Sequence, residues 1–174
     1  MKLWDYAVAV YALDGVQQRL LALQDRHGAD VNVILWCLWC GREGIIMADK
    51  DVPQILASVN ALTEQAVRPL RQVRRYLTSC REVSSADEIA SLRKDVLALE
   101  LRAEKLVLNA LEEKTPVQRA DTTTNPSMEQ RAAHLFMLAA QHMDIAPGID
   151  DENTTGSDGT LFRTILTLAK DHGP

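Results

Sequence analysis

Hydrophobic and polar positions alternate with the period of an α-helix through most of the chain. From Asp51 onward, Val52, Ile55, Val59, Leu62, Ala66, Leu70, Val73 and Leu77 recur at steps of three and four. After the polar segment REVSSADE the spacing resumes as Ile89, Leu92, Val96, Leu99, Ala103, Leu106 and Ala110. At 3.6 residues per turn each series forms one apolar stripe, and a short turn between the two helices makes them antiparallel neighbours. The pattern therefore predicts a helical hairpin over residues 51–113. Pro69 lacks a backbone donor and crowds the turn before it, which predicts a kink near Arg68. Leu97, Leu101, Leu108 and Leu111 form a second stripe on the return helix, a face for the N-terminal helices or for a second subunit. A homo-oligomer through this face of helix 87–113 is thus one expectation.

Upstream, residues 3–12 read as a short amphipathic helix, and Asp14 with Gln17 has the spacing of a capping box for a helix ending at about His27. Gly28 stops that helix and Asp30 caps the next. The body of this third helix, Val31 to Cys40, is apolar on every side except at Asn32, so it is expected at the centre of the molecule. Gly41 to Lys50 reads as a connection, and Asp51, Pro53 and Gln54 open the hairpin. Ser85 and Glu88 form a second capping box. Past residue 115, TPVQRADTTTNPS reads as a linker, Asn125 and Pro126 start a helix to about Met143, and a last helix spans Gly159 to Lys170. The whole predicts an all-α, single-domain helical bundle with a central buried helix and a long antiparallel hairpin. Residues 1–114 make the bundle, and 115–174 a linker with two short helices packed on it or loosely tethered.

Composition narrows the classes without choosing among them. Apolar residues at 47% and charged residues at 25% are ordinary for a folded globular protein, so disorder is not the default. The net charge of −5 argues against general nucleic-acid binding, although a local basic patch is compatible with it. The apolar run Val33 to Cys40 is far shorter than the ~20 residues that span a bilayer, so no membrane role is expected. No export signal is recognised at the N-terminus, and three Cys, an odd number, then point to reduced thiols and a cytoplasmic location.

Candidate chemistry is sparse. Cys37 and Cys40 have the C-x-x-C spacing of redox pairs and half metal sites, but they lie late in an apolar helix with no second Cys pair, which favours buried, inert thiols. Trp36 and Trp39 read as core, with indole N–H groups that need partners. Asp151 to Asp158 begins like a calcium loop but has Phe162 where the bidentate Glu is required. No catalytic residue, metal ligand or cofactor is assigned. The polar knot before the buried helix, Gln24, Asp25, His27, Asp30 and Asn32, is open to two readings: caps and solvated ends, or a small-molecule pocket. Asn32 matters most, since an amide on an apolar helix must find partners. Arg68, Arg71, Arg74 and Arg75 form a candidate anion or partner surface. Arg68, Arg71 and Arg75 are placed on the solvent side of their helix, with Glu64 pairing to Arg68 and with Asp95 and Glu100 of the return helix as cross-hairpin partners.

Trp4, Tyr11, Gly15, Val16, then LQDRHGADVN and Trp39 together resemble the N-terminal signature of a family of uncharacterised proteobacterial proteins, a domain of unknown function. The resemblance runs from about residue 3 to 112. It implies a bacterial cytosolic protein and transfers no activity and no catalytic residue. With no chemistry legible, the leading expectation is a non-catalytic protein-interaction module with an unidentified protein partner. A ligand or enzyme site at residues 24–32 and phosphate or RNA contact through the arginines at 68–81 are the alternatives.

Overall fold

A computed structural model of the chain describes residues 1–80, 85–116, 118, 127–142, 165 and 167. Seven α-helices and one π turn occur among them, and no strand: α1 (Leu3–Tyr11), α2 (Val16–His27), α3 (Val31–Glu43), α4 (Asp51–Leu62), the π turn (Thr63–Val67), α5 (Arg68–Ser79), α6 (Ala86–Lys114) and α7 (Met128–His142). The protein is all-α.

Helix α3 is the centre. Every residue from Val31 to Gly41 is buried, because α1, α2, α6 and α7 all pack around it. At roughly 1.5–3 kcal/mol for each large apolar side chain taken out of water, this helix organises the rest. Its two indoles are satisfied: Trp36 Nε1 donates to Thr115 Oγ1 at 2.8 Å, and Trp39 Nε1 donates to the Met1 carbonyl at 3.0 Å. The Thr115 hydroxyl in turn donates a hydrogen bond to the Leu111 carbonyl at 2.6 Å, tying the end of α6 to the core.

Several boundaries differ from the sequence reading. Helix α2 begins after Gly15, which takes a left-handed φ of 72°, and the Arg19 guanidinium donates to the Gly15 carbonyl. The Asp14–Gln17 capping box therefore does not open it, since a tight glycine step joins α1 to α2 instead. Helix α3 runs past Gly41 to Glu43 and stops at left-handed Gly44. Gly41 is small for packing, not for stopping: a Cβ there would come within 2.7 Å of the Met128 carbonyl, where α7 crosses. Arg131 of α7 donates to the Gly41 carbonyl at 2.9 Å. Helix α7 is capped by a reciprocal Ser127–Gln130 box, and the Asn125–Pro126 pair lies outside the described residues.

Of the C-terminal segment, Ile165 and Thr167 are helical and Ile165 is fully buried in the core. The rest of the helix expected at Gly159 to Lys170, the calcium-like stretch and most of the linker lie outside the described residues.

The kink expected near Arg68 is the π turn. Arg68 N–H donates to the Thr63 carbonyl, a five-residue step. Pro69 gives no N–H to the carbonyl four residues back and its ring crowds it; widening the turn just before relieves both. A π turn accommodates one extra residue, so around it the inward positions move one along: Thr63 for Leu62, Val67 for Ala66 and Arg74 for Val73, with Arg71 turned in beside half-buried Leu70, while Leu77 keeps its expected burial. Thr63 and Val67 are buried, whereas Val73 is exposed.

Candidate functional site

The shift of face decides where the arginines go. Arg71 turns inward, 16% exposed, and makes three hydrogen bonds: Nη1 to Gln24 Oε1 at 2.6 Å, Nε to Glu100 Oε1 at 3.1 Å and Nη2 to Glu104 Oε1 at 2.6 Å. Arg74 grips the same Glu100 through Nε and through Nη2 at 3.2 Å. Glu100, 4% exposed at its side chain, is thus locked between two guanidiniums. Arg75 Nη2 reaches Asp25 Oδ1 at 2.7 Å, and Arg68 pairs with Glu64 of the π turn at 3.2 Å. Arg71 and Arg74 therefore do not lie on the solvent side, as the unbroken periodicity implied for Arg71. Glu100 is the cross-hairpin partner the sequence indicated, but the second is Glu104, not Asp95. Glu104 lies four residues beyond Glu100, a spacing that an inward phase for Arg71 would have singled out.

Where α2 ends and α3 begins, this network meets the polar knot. Asp30 Oδ1 accepts from the Asn32 N–H at 2.8 Å and so caps α3. Gln24, Asp25 and Asp30, together with Thr63, Val67, Arg68, Arg71, Gln72 and Arg75, line an open cavity of about 260 Å³. The knot and the arginines, separate in sequence, share one cavity. His27 and Asn32 lie off it: His27 closes α2, and Asn32 is buried on α3, where its amide nitrogen has no hydrogen-bond partner among the described residues. Thr63, Val67 and Gln72 were not singled out by sequence; the π turn supplies the first two, and the Thr63 hydroxyl also lacks a partner among the described residues.

Electrostatics follow burial. Burial pushes the Asp30 carboxyl above the ordinary carboxylate range, partly offset by N–H donors of Asn32 and Val33 and by Arg71. Glu104 is raised likewise, burial outweighing its Arg71 hydrogen bond. At Glu100 burial also pulls upward, but the hydrogen bonds from Arg74 and Arg71 together prevail and hold it below the usual value. Two of the carboxyls are thus biased towards protonation and the most deeply held one against it.

A second feature lies along α6. Its inward face keeps Val96 and Ala103 of the expected series but has Glu100 and Val107 in place of Leu99 and Leu106, because Glu100 meets Arg71 and Arg74. Leu92, Leu99 and Leu106, expected against the hairpin mate, are instead 51%, 48% and 57% exposed. Of the second stripe, Leu108 and Leu111 are buried where α6 packs on α1 and α3, and Leu97 and Leu101 are exposed.

Cys37 and Cys40 are fully buried; burial, then the neighbouring Cys37, raise the Cys40 thiol well above its ordinary value, which makes it a poor nucleophile. Among the described residues no group of three His, Cys, Asp or Glu side chains is placed to hold a metal, and no helix is long and apolar enough to cross a membrane.

An all-α bundle with a buried central helix, a carboxylate-locked arginine cluster and an exposed leucine row on its longest helix defines the class of protein. The chain belongs to the family described as protein of unknown function (DUF2390), which matches residues 2–111, from α1 into the last turn of α6. No curated protein and no solved structure matches the chain.

Proposed function

We propose that the chain is a non-catalytic interaction module whose docking surface is the apolar flank of the α5–α6 hairpin. The observation that carries this is the row Leu92, Leu99 and Leu106, half exposed at seven-residue steps on a 29-residue helix. Scattered surface leucines need no explanation, but a regular row on a long rigid helix presents a continuous apolar strip. Arg71, Arg75 and Glu104 mark the flank of the hairpin that faces α2. At about 100° per residue, exposed Val73 then falls on the opposite flank of α5, beside the leucine row of α6, with Leu70 half-buried and Leu77 buried at its edge. A photo-crosslinking residue at position 99 is expected to capture a protein in living cells, and one at exposed Ala57 is not. Absence of any adduct from position 99 would overturn the reading.

The cavity at the knot supports a second reading, a site for a small polar ligand, because residues 24–30 and 63–75 converge there and bring donors and acceptors together. Ligand binding is expected to raise the melting temperature, and Gln72→Leu to abolish that rise; a metabolite screen with no such shift counts against it. Phosphate or RNA contact draws no support from the geometry, since each of the four arginines already holds a carboxylate that an anion would have to displace.

A further inference from the structure

Resting on the reading that the hairpin flank is a docking surface, we infer that its occupant is a second copy of this chain, packed antiparallel across a two-fold axis beside Leu99. The row itself selects a helix as partner. Residues repeating every seven positions stay in one line only against another helix with the same 3.5-residue apolar period, and Leu92 to Leu106 spans about 21 Å, three layers of such packing. The chain carries that repeat itself. Placed antiparallel about Leu99, the row matches its own copy: Leu99 meets Leu99, and Leu92 meets Leu106 at each end.

Charge chooses the orientation. Asp95 and Arg102 stand on the outer edge of the row, both exposed, and neither takes part in an ion pair among the described residues. They bracket the same axis: antiparallel packing brings Asp95 of one copy beside Arg102 of the other, twice by symmetry. Parallel packing in register would set Asp95 against Asp95 and Arg102 against Arg102, which is repulsive. A two-fold interface must be self-complementary, and this edge is, with an acid four positions before Leu99 and a base three positions after it. The charges inside the hairpin do not interfere, because Glu100 is already held by Arg71 and Arg74 on the inward face.

The test is sedimentation of the full chain across micromolar concentrations. A concentration-dependent dimer is expected, Leu99→Glu should give a folded monomer, and Leu99→Ala, which keeps an apolar surface, should weaken association without disturbing the fold. Asp95→Arg and Arg102→Asp, each alone, should weaken the dimer about tenfold or more, and the double reversal should restore it, because it re-forms the pairs with opposite polarity. A chain that is monomeric throughout, or a dimer indifferent to Leu99 and to the two charges, overturns the inference. So does failure of the double reversal to rescue. A monomer that crosslinks from position 99 to a different protein or to its own C-terminal segment sinks the self-partner, the former alone leaving the docking reading standing. A monomer with no adduct at all sinks both.

Discussion

Single side chains at the knot carry separable roles. Asp30 caps α3 through its bond to the Asn32 N–H, while burial disfavours its charge. Asp30→Ser keeps an acceptor and is expected to be nearly neutral, whereas Asp30→Ala should lower stability by about 1 kcal/mol in chemical denaturation. Arg71 and Arg75, four residues apart, should respond very differently to reversal. Arg71→Glu places a third acid against Glu100 and Glu104 and leaves Gln24 unpaired, so a loss of about 3 kcal/mol or more is expected. Arg75 is 55% exposed and pairs with an exposed Asp25, so Arg75→Glu should cost no more than about 1 kcal/mol. Equal effects would mean that the inward phase of α5 is wrong.

At the scale of elements, the π turn sets that phase. It absorbs one residue between α4 and α5 and so carries Arg71 and Arg74 inward to Glu100. Deleting exposed Gln65 should convert the turn to α-helix without rotating the helices on either side, but it leaves Pro69 in a regular helix, at about 3 kcal/mol. The deletion alone is expected to lower the melting temperature clearly. Combined with Pro69→Ala it should recover most of the loss, read by circular dichroism on heating. No recovery would mean that the extra residue is needed for more than relief of the proline.

Across the whole molecule, the buried carboxyls make stability depend on pH in two opposed stages. Asp30 and Glu104 have raised values, so their ionisation costs stability at neutral pH, a cost relieved as pH falls through their folded values. Glu100 has a lowered value, so its contribution is complete above about 4.3, the unfolded reference, and is lost as pH falls through its folded value. The melting temperature should hold or rise slightly on mild acidification, then fall steeply below about pH 4. Glu104→Gln should remove part of the mild-acid gain, and Glu100→Gln should start lower and flatten the acid limb. A smooth decline from neutral pH in the parent chain would contradict this assignment.

Local chemistry decided much of the structure. The apolar run Val31 to Cys40 has no polar side to turn outward, so it had to be central, and Asp30 before it had to be a cap. The threes and fours from Val52 and from Ile89 required two long helices, Ser85 could cap the second, and Pro69 had to disturb the first. Each of these follows from neighbours within a turn or two. What sequence left open is the rotation of each helix about its own axis, because an amphipathic pattern fixes that angle only to within about one residue. Glu100 meeting two guanidiniums, and one residue absorbed before Pro69, settle it in the folded chain. That rotation joins residues 24–30 to the arginines in one cavity and leaves Leu92, Leu99 and Leu106 outside. Both depend on contacts between residues tens of positions apart, which only the tertiary structure supplies.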